Sequence, residues 1–99
     1  MKRNPLDPDL NALIDAFEKV KQVKPEDLFS YVLLTDYGVT APEVEKLIRQ
    51  YATNFKFPHE IDDNDISDFF GKQNWKTMTV KLFWDCCVNL IGYKRTEDL

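Results

Sequence analysis

Few side chains in this sequence are of types that could do chemistry, and their spacing narrows the choice further. The single histidine, His59, stands beside Pro58 in an acidic stretch, and the only cysteines, Cys86 and Cys87, are adjacent within an apolar run. Zinc needs three or four converging His, Cys or carboxylate ligands, so no metal site is expected from this set. The run DDNDISD places Asp63, Asp65 and Ser67 at alternate positions, as the early ligands of a calcium loop are placed. Two later positions break the pattern. Asp68 stands where the loop's sharp turn requires glycine, and Asn74 where a bidentate glutamate belongs, so helix capping is the better use of these acids. Nucleophilic catalysis lacks its parts as well. Ser30 and Ser67 have no histidine near them in sequence, and the cysteines have no basic neighbour to hold a thiolate. The three glycines stand apart, which leaves no phosphate-binding loop. The expectation is a protein that is not an enzyme and carries no cofactor.

What remains is charge. The chain has 17 Asp and Glu against 13 Lys and Arg, a formal net charge of -4. Affinity for nucleic acid or for an anionic membrane rests mainly on clustered Lys and Arg, so neither is an expected partner. Phe69 and Phe70 could offer stacking platforms to a single strand, but acids rather than a basic groove stand beside them. Glu60, Asp62, Asp63, Asp65 and Asp68 fall in one window without a basic residue, and Glu43 and Glu45 add acids at the start of a helix. Two readings of the window stand side by side: a solvated helix start, or a surface for a basic protein partner.

The elements that must position these groups can be read from periodicity and caps. A chain of 99 residues, 43% hydrophobic and 30% charged, fits one small soluble domain, with an ordered core at about residues 8–92. Asp7-Pro8 is a helix start, and Leu10, Leu13, Ile14, Phe17 and Val20 form one apolar stripe behind it, ending near Lys21 or Gln22. A connection with Leu28 to Leu34 must lie across the core, and Asp36, Tyr37 and Gly38 form a turn. Thr40 and Glu43 fit a capping box, Thr40 accepting from the Glu43 N–H and the Glu43 carboxylate from that of Thr40. In the helix that follows, Val44, Leu47, Ile48, Tyr51 and Phe55 share one face, with Glu45 and Arg49 paired on the other. A short third helix carries Ile66, Phe69 and Phe70 and stops at Gly71. The last helix is expected from Val80 to Ile91, capped by Thr77 or Thr79 and closed by Gly92. Lys81, Asp85 and Asn89 form its one polar line, which predicts burial around most of its circumference. A strand at TMTVKLFW is the competing assignment, since β-branched and aromatic residues favour sheets. The fold class is therefore all-α, a small four-helix bundle. Adjacent cysteines cannot close a bridge of normal geometry, and no apolar run is long enough to cross a bilayer, so a reducing, cytoplasmic setting is expected.

The order of these elements resembles that of acyl carrier proteins, most of all the small bacterial acyl-carrier-like proteins of unassigned function. The match covers about residues 10–92. Asp36, Tyr37 and Gly38 stand where the carriers have Asp-Leu-Gly, and MTVKLFWDCCVNLIG is similar to their final helix. In this register Ala41 takes the place of the serine that bears phosphopantetheine, followed by Pro42 and Glu43. The resemblance thus implies an acyl-carrier-like topology without carrier chemistry. Two functions are carried forward as expectations. One is an immunity or antitoxin-type protein that neutralises a basic toxin such as a nuclease, with Glu43, Glu45, Glu60, Asp62, Asp63, Asp65 and Asp68 as the candidate surface. The other is a carrier-like accessory engaging a synthase or transferase.

Overall fold

Local signals decide where each helix begins. In the computed structural model, which describes residues 1–54 and 61–97, the Asp7 carboxylate accepts the N–H of Leu10 at 3.1 Å and Pro8 opens α1 (Pro8–Lys21). Proline there costs no hydrogen bond, because the first N–H groups of a helix have no intrahelical partner. Gln22 closes α1 in the left-handed region, φ 58, returning its N–H to Glu18 O at 2.9 Å. The next helices are α2 (Ala41–Asn54), α3 (Asp63–Lys72) and α4 (Val80–Glu97). Short 3-10 turns lie at Pro25–Asp27, Leu34–Tyr37 and Trp75–Thr77. The described residues are thus all-α, a small bundle of four helices with a short third one.

The apolar stripes meet as their spacing predicts. Leu13, Ile14 and Phe17 of α1 and Val44, Leu47, Ile48 and Tyr51 of α2 are buried, and α1 packs chiefly on α2. Phe55, expected on the same stripe, lies outside the described residues. Aromatic rings hold the centre. Tyr37, Phe17, Phe83 and Phe69 meet edge to face in sequence, with ring centroids 6.2, 6.1 and 6.3 Å apart, and Phe70 adds a further edge contact to Phe69 at 5.6 Å. This geometry sets the positive ring edge against a negative ring face, and it ties α1, α3, α4 and the long connection together.

The connection between α1 and α2 enters the core at Leu28, Leu34 and Val39. Leu28 and Leu34 are fully buried, while Phe29 and Tyr31 stack on each other at 5.6 Å on the surface. Tyr37 pins the path: its hydroxyl donates to Asp27 O at 2.7 Å and accepts the Phe29 N–H at 2.8 Å.

Three details of the last two helices differ from expectation. α3 runs through Gly71 to Lys72, and α4 continues through Gly92 to Glu97, so neither glycine stops its helix. Glycine lowers helix propensity by about 1 kcal/mol and can be carried inside a helix whose neighbours pack. α4 is also not buried around most of its girth. Val80, Phe83, Cys87 and Ile91 face inward, whereas Leu82 is 47% and Val88 38% exposed beside the polar line of Lys81, Asp85 and Asn89. The strand alternative survives as a single antiparallel bridge between Leu33 and Thr79, with Leu34 N–H on Met78 O and Val80 N–H on Val32 O. Thr79 then caps α4 by accepting the Leu82 N–H at 3.2 Å.

Candidate functional site

The start of α2 is a tied turn. Gly38 has φ 72, and the exposed Ala41 opens the helix three residues later. Glu43 Oε1 accepts the Thr40 N–H at 3.0 Å, as a capping box requires. The Thr40 hydroxyl does not accept in return but donates to the same oxygen at 2.9 Å. Lys21 explains the change. Its ammonium reaches from the end of α1 to both Glu43 oxygens, 3.1 and 3.0 Å, and to Gly38 O at 3.1 Å. The cation draws the carboxylate toward itself, and the hydrogen bond from Lys21, then that from Thr40, holds Glu43 below the usual carboxylate range. Of the expected contact surface, Glu43 is therefore bound within the fold.

The α2–α3 junction gathers most of the other acids. Arg49 lies 3.4 Å from Glu45 on its own helix and 2.9 Å from Asp63 at the start of α3, and it also donates to Ile61 O. Asp62 caps α3 by accepting the Asp65 N–H at 2.9 Å, and Asp65 returns the favour to the Asp62 N–H at 3.0 Å. This reciprocal cap sits in the window first tested as a calcium loop. The window is helix from Asp63 onward, so Asp63, Asp65 and Ser67, at alternate positions, point about 200° apart in turn and do not converge on one ion. Asp68, one turn on from Asp65, is exposed and without an ion pair among the described residues. Glu60 and His59 lie outside the described residues.

Beside this face runs a groove of about 470 Å³ between α3 and α4. Ile48, Phe69, Cys87 and Leu90 supply apolar lining; Asp65, Asp68 and Lys72 stand along the α3 side and Asn89 on the α4 side. Cys86 also reaches it, half-buried, while Cys87 is buried. Burial pushes both thiols up, with Asp85 adding to the rise at Cys86, so neither favours the thiolate a nucleophile needs.

Compared with protein-family models, curated proteins and solved structures, the chain matches none. The site must be read from its own geometry. Among the described residues no group of three or more His, Cys, Asp or Glu is arranged to hold a metal ion, and no helix is long and apolar enough to cross a membrane.

The Glu45–Arg49 pair was readable from its spacing, but two long-range pairings were not. The acidic window holds no basic residue of its own, yet Arg49 is brought to it from α2, and Lys21 is brought to Glu43 across an interval of 22 residues. Neither pairing has a local signal, since each depends on how helices pack. The Asp62–Asp65 cap did have one: an acid three residues after another at a helix start is capping-box spacing. The groove lining is spread over three helices and could not be read from any one of them.

Proposed function

We propose that this protein is a non-enzymatic protein-docking domain whose contact face is the acidic surface of α2 and α3. Its specific form is a bacterial immunity or antitoxin-type protein that binds and neutralises a basic toxin, such as a nuclease, in the cytoplasm. One observation carries the reading: Glu45, Asp62, Asp63 and Asp65 gather at the α2–α3 junction, where Arg49 offsets part of their charge, and Asp68 extends the acidic line along α3 toward the groove. Acids clustered on one face raise encounter rates with a cationic surface and disfavour acidic partners. Asp68, exposed and without an ion pair among the described residues, is the carboxylate best placed to meet a partner's cation.

A second reading has its own support. The left-handed Gly38 turn ahead of a capped helix, with Ala41 at its exposed first position, has the shape a carrier loop would need without the serine. On that reading the partner is a synthase or transferase with a basic docking patch. One experiment serves both. Capture from the source cell at low ionic strength, followed by association kinetics with the captured basic protein, identifies the partner as a toxin or as a biosynthetic enzyme. A partner whose association ignores salt and the acids of α3 would sink both readings.

A further inference from the structure

The groove between α3 and α4 adjoins the acidic face and shares Asp65 and Asp68 with it, while its apolar floor and Lys72 lie beyond that face. Asp65, Asp68, Phe69 and Lys72 occupy positions i, i+3, i+4 and i+7 of α3, so they form one line along the same edge of the groove. At 1.5 Å per residue, Asp65 stands roughly 10 Å along the axis from Lys72 and Asp68 roughly 6 Å. Below that edge lies apolar surface from three helices: Ile48, Phe69 and Leu90, with Cys87 beneath. The volume, about 470 Å³, falls among clefts that hold ligands. An apolar floor bounded by acids at one end matches an occupant with apolar anchors and a cation at that end. A line of contacts two turns long on one helix is matched in rise by a second helix presenting its own i, i+3, i+7 face, as in helix-in-groove recognition.

We propose that this groove seats an amphipathic helical segment of the protein partner. Leucine-like side chains rest on the Phe69 and Leu90 floor, and a Lys or Arg sits opposite Asp65 and Asp68. This rests on the protein-docking reading and names what the partner brings to it.

The test uses the whole chain and a synthetic helical peptide with three Leu anchors at i, i+3 and i+7 and an Arg at one end. A comparison peptide has Glu in place of that Arg. Amide shifts of the labelled protein are expected to move at Phe69, Lys72, Asn89 and Leu90, and the Glu peptide is expected to bind about tenfold more weakly. Asp68→Lys, a change at an exposed position, should reverse the preference between the two peptides. Equal affinity for both peptides, an unaltered preference in Asp68→Lys, or shifts confined to other surfaces would each overturn the assignment. So would binding of decanoate at these residues where the peptide fails, which would give the groove to small apolar ligands. If the groove fails but salt and the α3 acids still govern association with a basic partner, the docking face stands without it. If the peptide seats and no such partner exists, the proposed function falls by itself.

Discussion

Gly38 and Glu43 show how much one residue decides here. A φ of 72 is strained for any residue with a Cβ, and a Cβ at Gly38 would meet nothing closer than Lys21 Nζ at 3.9 Å. Gly38→Ala should therefore cost backbone strain alone, about 1–2 kcal/mol in urea titration. A much larger loss would point to a clash that the structure does not contain. Glu43 carries a pH dependence. Its carboxylate lies below the usual range in the folded state, mainly through Lys21, so its contribution is present above the ordinary glutamate range and is lost as pH falls through the lowered value. Thermal melts between pH 3 and 7 should show a shallower acid limb in Glu43→Gln than in the wild type. Parallel curves would mean that the Lys21 pairing does not persist in solution. Tyr37 plays a quieter part, since its two hydrogen bonds and its edge contact with Phe17 fix the turn that Gly38 completes.

At the scale of elements, helix starts and the end of α1 were legible, and the glycine stops expected for α3 and α4 were not where those helices end. Asp7-Pro8 and the acids before α3 announce their helices through groups that satisfy free N–H donors. A glycine offers no such commitment, because it ends a helix only if the chain is pulled away there. Gly92 is carried inside α4, and beyond its chain neighbours and its own helix backbone no atom lies within 4 Å of where its Cβ would stand. Gly92→Ala should raise stability by about 0.5–1 kcal/mol through the unfolded chain's lost freedom and better propensity, measurable as a higher melting temperature. A fall would show that α4 ends near Gly92 after all. Burial of α4 was misread for a related reason. Hydrophobic residues all round imply burial all round only if other elements surround the helix, and Leu82 and Val88 remain partly exposed. The exposure of Phe29 and Tyr31 follows the same rule: an apolar connection is drawn to the core by some of its side chains, not by all.

For the whole molecule, the sequence overstated the freedom of its acids. Glu43 is held by Lys21, and Glu45 and Asp63 by Arg49, while Asp62 and Asp65 cap each other's N–H groups. The face that remains is narrower than the window of acids in the sequence and is centred on the N-terminal half of α3. On the proposed docking reading it acts by steering, a long-range attraction that is strong at low salt and screened beyond about 8–10 Å at physiological salt. The Arg49 guanidinium works against that attraction, so its removal should act in the opposite sense to removal of the acids. Asn in place of Asp keeps the caps of α3, because an amide oxygen can accept the same N–H bonds. The most direct test is the association rate constant with the captured basic partner, measured by stopped flow across ionic strength. Wild type would be set beside the combined Asp62→Asn, Asp63→Asn, Asp65→Asn and Asp68→Asn variant and beside Arg49→Gln. The account predicts a rate at least about tenfold slower at low salt for the four-Asn protein, a faster rate for Arg49→Gln, and convergence of all three at high salt. Identical rates for the three proteins at low salt would contradict it.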